Sequence, residues 1–371
     1  MSTGWVWDER YMWHDTGHAA AFLTAGGGVL EPDEHVERPA TKRRLRNLLE
    51  VSGMLEQLTP IKAREATTEE LTRVHSSAHV EHVQQVSANG GGMAGDQTPI
   101  GPGGYEIVAL AAGGAIAAVD AVLGGEVDNA YALIRPPGHH SGIDQSLGFC
   151  VFNNVAVAAE HARAVHGLER VAIIDWDAHH GNGTQEIFWD QPGVLTISIH
   201  QDGGYPPQSG FVDERGSEGA LATNINIPLP PGSGVGAYQA AIEQIVVPSL
   251  HAFRPELVIV ACGFDASPMD PLARMMVHSA GFAEMTASVM AAADELCDGR
   301  IVFCHEGGYA APYVPFCGLA VIETLSGHRS GVEDPFLGGY AALPFQEIQP
   351  HQAAAIEAAA PDLAKLKEAS S

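Results

Sequence analysis

Short apolar runs recur along this chain, each ending in chemistry-bearing residues and each separated from the next by a loop or a helical pattern. That alternation restricts the fold more than any other feature. Tyr131–Ile134 leads into Arg135-Pro-Pro-Gly-His-His140, and Val151–Val165 is predicted to be a helix. Val171–Ile174 leads into Asp175-Trp-Asp-Ala-His-His-Gly-Asn-Gly183, and Val194–Ile199 ends at His200. Tyr238–Phe253 reads as a helix before the run Leu257–Cys262, which leads into Gly263-Phe-Asp265. Gly281–Leu296 is helical before Ile301–Cys304, which leads into His305-Glu-Gly-Gly-Tyr309. Continuous apolar strands alternating with helices build a parallel sheet buried on both faces. The expected class is therefore α/β, a single domain whose central, mainly parallel sheet is flanked by helices on both faces. Sheets of this kind bind ligands at the carboxyl ends of their strands, and four of these runs deliver polar residues to that end.

No composition break or internal repeat divides the chain, so one domain over 1–371 is expected. The run Glu37–Arg44 reads as a helix entry, with Pro39 suited to a first turn and apolar spacing through Leu55. Val74–Val80 predicts a turn into a short helix, and Tyr105–Leu123 an Ala-rich helix closed by Gly124-Gly125. The tail over 351–371 reads as a solvated terminal helix. No run of about 18 apolar residues stands out as a membrane span, and Met1–Glu9 lacks the layout of a signal peptide. The five cysteines form no CxxC pair, and several sit inside apolar runs. They read as small buried hydrophobes in a reducing, cytoplasmic setting. Gly90-Gly-Gly-Met-Ala-Gly95 has the letters of a dinucleotide loop without the strand before it or the helix after it, and is set aside.

Lysine and arginine number 19 against 45 acidic residues, a formal net charge of −26. Such a chain repels phosphates, which argues against a nucleic-acid partner. The charge is compatible with a cationic ligand, such as a lysine-rich peptide or a polyamine, although plain solubility accounts for it better.

Asp177 and His179 are two apart, so on an extended segment both side chains point the same way. Asp265, ending a later strand, can join them at the sheet edge. One aspartate at a strand end is explained by helix capping; three such donors flanked by glycines fit a metal with an open position. Zinc takes this mixed N/O set, and manganese or iron also accepts it. His139 and His140 follow a rigid Pro-Pro-Gly turn, and further metal ligands there would fill the open position, so acid–base work is the better reading. Asp175 and Asn182 flank the metal donors and are natural partners for the two rings. A carboxylate holds one histidine more cationic; an amide leaves the other nearer its ordinary pKa. Gly307-Gly308 places Tyr309 either as an oxyanion donor or as a packing aromatic. Gly148-Phe149 and Tyr205 read as walls of a narrow apolar channel, or as core aromatics.

Taken in order, these residues resemble the zinc-dependent histone deacetylase family. The likeness is strongest to its bacterial class II-like members, the histone deacetylase-like amidohydrolases. Arg135–His140, Gly148-Phe-Cys-Val-Phe-Asn-Asn154, Asp175–Gly183, Gly263-Phe-Asp265 with Asp270-Pro271, and Glu306–Tyr309 carry the resemblance, over about residues 14–325. It implies the arginase/deacetylase-like fold and one Zn²⁺ per chain on Asp177, His179 and Asp265. It implies His139 and His140 as the acid–base pair and Tyr309 as the carbonyl-polarising phenol. Phe149 and Tyr205, with Gly148 and Gly307, would line an acyl-lysine tunnel, with Leu272 at the rim and Asp96 gripping the substrate backbone. A structural K⁺ would sit on Asp175, Ser198 and Ile199 with backbone oxygens of Asp177 and His179. The implied reaction removes acetyl or other acyl groups from lysine side chains in peptides or proteins, with acetylpolyamines or other small N-acyl amines as the alternative. Dimeric or tetrameric assembly is also implied. Leu272 stands where the polyamine-selective vertebrate relative has a glutamate, and Tyr205 where many relatives have phenylalanine. Two rival readings are weaker. A binuclear manganese hydrolase needs further aspartates where this chain has Gly181 and Ser267. A non-catalytic acyl-sensing module would not need every catalytic position filled.

Overall fold

Along Val171–Asp175 successive side chains fall on opposite sides of the sheet: Ala172 and Ile174 join one apolar cluster, Val171 and Ile173 the other. Leu257–Cys262 divides the same way. These strands are apolar throughout because both their faces are covered. The computed structural model describes residues 1–19, 21–23 and 25–369. Its central sheet has eight strands: β1 (Thr3–Val6), β2 (Thr59–Ile61), β3 (Asn129–Ala132), β4 (Val171–Asp175), β5 (Val194–Gln201), β6 (Asn224–Leu229), β7 (Leu257–Cys262) and β8 (Ile301–His305). Their order is β6-β5-β4-β7-β8-β3-β1-β2, and every pairing is parallel.

Helices α1 (Ala40–Val51), α2 (Gly104–Leu123), α3 (Asn154–His166), α4 (Ser279–Cys297) and α5 (Val314–Ser326) cover the two faces. Leu45 and Leu49 of α1, Phe282 of α4 and Ile322 of α5 pack on one side. Leu110 and Ile116 of α2 and Val155 of α3 pack on the other. The α/β class with helices on both faces therefore holds.

Three strands, β1, β2 and β6, carry no continuous apolar run. β6 alternates Asn224, Ile225, Asn226 and Ile227, and Pro228 follows, which suits an edge strand. The helix read over Tyr238–Phe253 begins at Val235 and contains a π turn, Ile242–Val246, ahead of Pro248. Proline lacks the ladder N–H and crowds the preceding turn, and a widened turn accommodates it.

Two expectations are corrected. α2 is long and apolar enough to cross a membrane, but 72% of its apolar window is buried within this fold. Its apolar stretch packs against both the sheet and α3. The tail is not a solvated helix. Pro350–Ala359 and Leu363–Ala369 are separate helices that bury Ile356, Ala359 and Leu366 in the main core. The Arg215 guanidinium donates to the Ala359 carbonyl at 3.1 Å and holds the first of them in place. All five cysteines are buried and free.

Candidate active site

Asp177 and His179 leave the end of β4, and Asp265 leaves the end of its neighbour β7. The chain departs from β4 toward β5 and from β7 toward β8, so the two loops part and open a crevice at a topological switch point. His179 Nδ1 lies 3.0 Å from Asp177 Oδ1 and 3.0 Å from Asp265 Oδ2. One donor atom from each of the three lies within 4.8 Å of the others. The outer carboxylate oxygens are anchored: Gly307 N–H donates to Asp177 Oδ2 at 2.9 Å and Ala178 N–H to Asp265 Oδ1 at 2.7 Å. Gly307 has to be glycine, since a Cβ there would sit 2.3 Å from Asp265 Oδ2 and 2.6 Å from Asp177 Oδ2. Burial opposes charge on His179, yet the two carboxylates outweigh it and hold its pKa well above the imidazole range. Two carboxylate oxygens converging on one ring nitrogen make a cation-shaped spot. Its mixed N/O donors, with one side facing a cavity, fit a catalytic zinc.

The histidine pair stands on a clamped loop. Gly138 and His139 N–H groups donate to Glu306 Oε2 at 2.6 and 3.2 Å. The Asn154 amide donates to the Pro136 carbonyl at 3.0 Å and that of Asn153 to Ser141 at 3.1 Å. Asn153 also caps α3, a capping signal readable in the doubled asparagine. His139 Nδ1–H donates to Asp175 Oδ2 at 2.8 Å, and His140 Nδ1–H to Asn182 Oδ1 at 2.8 Å. The ring centroids are 4.0 Å apart. Burial disfavours charge on His139, but the Asp175 and Asp177 carboxylates prevail and push it up to about 10. His140 is held well below the imidazole range by burial and by the charge on His139. The two rings are thus pushed in opposite directions, and Nε2 of His140 is left free of the Asn182 bond.

A narrow cavity of about 120 Å³ ends on this cluster. His140, His179 and Tyr309 form its floor, and Gly148, Phe149 and Tyr205 its walls. Tyr205 meets His140 edge-on at 5.1 Å, and Phe149 meets Tyr309 edge-on at 5.8 Å. Gly148 has φ +53°, and a Cβ there would approach His140 Cδ2 to 2.7 Å and Tyr205 Cε1 to 2.8 Å. Leu272 stands at the mouth with Phe22 and Gln97. Asp96, expected at the rim, is exposed, and its neighbour Gln97, at φ +51°, lines the mouth. One expected tunnel residue does not line the cavity. Gly307 lies under the metal donors, holding Asp177 through its N–H.

Sequence reasoning missed the groups beneath the floor. Asp270 Oδ2 accepts from Tyr309 N–H at 2.8 Å, while its Oδ1 accepts from Leu272 N–H at 2.8 Å. Burial pushes its carboxyl up to about 6. Glu306, which grips the histidine loop, is pushed up to about 7 by burial. Arg135, Glu37 and Lys42 form a fully buried charge cluster just before the histidine loop. Of the residues expected to hold potassium, Ser198 lies directly across from Asp175 in the β5–β4 register, and Ile199 is buried next to it. At the positions a second catalytic metal needs, a Cβ on Gly181 would come within 2.3 Å of Asp175 Oδ2, and Ser267 is buried.

A three-donor metal set beside a split histidine pair, at the carboxyl edge of a parallel α/β sheet, defines a metal-dependent hydrolase. Residues 35–325 match the histone deacetylase domain family. The chain is 53% identical over 335 residues to the histone deacetylase-like amidohydrolase of Pseudomonas aeruginosa, covering 90% of this chain and 88% of that protein. It is 36% identical over 339 residues to a probable deacetylase of Archaeoglobus fulgidus, covering 90% and 89%. The crystal structure of the HDA15 HD domain is similar with a TM-score of 0.80 at 35% identity, over 96% of this chain and 99% of that one. The chain belongs to the histone deacetylase family, a family of zinc-dependent deacetylases and amidohydrolases.

Proposed function

We propose that the protein hydrolyses N-acyl-lysine side chains in peptides or proteins, releasing a carboxylate and a free lysine amine. The observation that carries this reading is His140, its Nδ1 tied to Asn182, lining a cavity of about 120 Å³ together with His179, Tyr309, Phe149, Tyr205 and Leu272. Asp177, His179 and Asp265 would hold the zinc, which when bound supplies Lewis acidity that polarises a carbonyl and acidifies water. His140 Nε2 takes the proton of the attacking water, with Asn182 fixing the tautomer that leaves this nitrogen free. His139, kept cationic by Asp175, adds positive potential beside the developing negative charge. The Tyr309 hydroxyl donates to the oxyanion, its backbone positioned by Asp270. His140 then returns its proton to the leaving amine. A structural K⁺ between Asp175 and Ser198 belongs to the same reading, supported by their pairing across β4 and β5.

Acetylpolyamines are the alternative substrates. Leu272 at the mouth offers no carboxylate to a second ammonium, which supports the lysine reading, whereas the net charge of −26 suits both. Acetyl-, trifluoroacetyl- and longer acyl-lysine reporters should be assayed beside acetylputrescine on zinc-loaded protein. Turnover of the lysine reporters, abolished by a chelator or a hydroxamate, is expected. Faster turnover of acetylputrescine at equal concentration would overturn the substrate assignment, and no turnover of any would overturn the enzyme reading.

A further inference from the structure

At the eighth and thirteenth residues of α3, counted from the N-terminal end that caps on Asn153, a second set of metal-type donors converges. His161 Nε2 and His166 Nε2 both point at Asp120 Oδ1, at 2.8 and 2.7 Å. The five-residue spacing is awkward for one helix face, so the two rings reach the carboxylate from different sides, 5.7 Å apart between centroids and inclined at 63°. Asp120 comes from the last turn of α2, which makes the set a clasp between two neighbouring helices. One donor atom from each residue lies within 4.8 Å of the others. His161 is buried, with 5% of its side chain exposed, while Asp120 at 39% and His166 at 26% leave a path from solvent.

The surroundings are those of a ligating imidazole. The other ring nitrogen of His161 lies 3.4 Å from Glu70 Oε1, the carboxylate partner that orients metal-bound histidines. Glu70 is itself gripped by Arg64 through two bonds at 2.6 and 2.8 Å and by the Thr67 N–H. Arg73 stands 3.5 Å from the same nitrogen, so either tautomer of the ring finds a partner. Both contributing helices present their C-terminal ends here, and helix C-termini favour a cation.

We propose that Asp120, His161 and His166 form a second divalent transition-metal site, outside the active site, that staples the C-terminal turn of α2 to α3. Two imidazoles and a carboxylate select zinc or nickel over magnesium or calcium. Binding needs both Nε2 atoms unprotonated: the His161 proton moves from Nε2 to Nδ1, which faces Glu70 Oε1, and the His166 proton moves likewise to its own Nδ1, so both histidines ligate as neutral rings. The experiment titrates Zn²⁺ into zinc-loaded wild-type protein and into His166→Ala and Asp120→Asn, reading bound metal per chain and melting temperature. Wild type is expected to take up one more zinc than either variant and to melt higher in excess Zn²⁺. Neither variant should shift under zinc, Mg²⁺ should shift none of them, and deacylase turnover should be equal in all three. Equal metal content and equal melting shifts in wild type and His166→Ala would overturn the site and leave a plain hydrogen-bonded clasp. Because the comparison is between variants, its outcome does not depend on how the catalytic zinc behaves.

Discussion

Replacing Glu37 with glutamine isolates the most exacting piece of electrostatics under the active site. Glu37, Lys42 and Arg135 have no exposed side-chain surface. Arg135 donates to both Glu37 oxygens at 3.0 and 3.1 Å and spends a further N–H on the His14 carbonyl at 2.7 Å. Lys42 Nζ donates to Glu37 Oε1 at 3.2 Å. One carboxylate therefore serves two buried cations. Burial alone would raise the Glu37 carboxyl, yet Arg135 and Lys42 hold it far below the carboxylate range. Glutamine keeps the shape and strands both cations, and breaking a buried ion pair from one side costs roughly 3–5 kcal/mol. A chain of this length unfolds with an entropy of about 0.8 kcal/mol/K, so the melting temperature should fall by about 5 °C. Lys42→Met removes the surplus cation and leaves a one-to-one Arg135–Glu37 pair, and should cost clearly less. The double variant should lie above Glu37→Gln alone, because the contacting residues couple. Differential scanning calorimetry on the zinc-loaded proteins decides it. If Lys42→Met melted as low as Glu37→Gln, the account of one anion neutralising two cations would be wrong.

Other outcomes follow from the site. His140→Ala and Tyr309→Phe should each lower turnover about 100-fold or more while zinc stays near one per chain; full activity in either sinks that residue's role. Gly148→Ala puts a methyl against His140 and Tyr205 and should cut kcat/KM about 100-fold, a misplacement effect seen by steady-state kinetics, and should also lower the melting temperature because position 148 holds φ +53°. In zinc-free protein the raised pKa of His139 makes its stabilising contribution complete below about 6.5. That contribution is lost as pH climbs toward about 10. Melting curves across that window should slope downward in wild type and be flatter in Asp175→Asn; identical slopes would show that the His139–Asp175 pair is not their source.

How much was legible beforehand depended on how local the information was. The runs at 171–174, 257–262 and 301–304 were readable because a strand covered on both faces has no polar position to interrupt it. Asp177 and His179 were readable because alternation puts residues two apart on one side. β1, β2 and β6 were not, being short or alternating edge-region strands whose partners lie far away in sequence. The same holds for the supports of the site. Glu306 reaches the histidine loop across 168 positions and Glu37 reaches Arg135 across 98. Nothing near either acid announces its partner.

By itself, then, the sequence determined the α/β class, the residue types at the strand ends and the pairing of each histidine with a different kind of partner. The tertiary structure decided what those residues share. Only the order β4-β7-β8-β3 brings Asp265, Glu306 and the histidine loop to the edge where Asp177 and His179 stand. Only burial together with unequal neighbours pushes the pKa of His139 up and that of His140 down. Hydrophobic alternation is a property of neighbouring residues, whereas a pKa or a metal site depends on groups that meet through space.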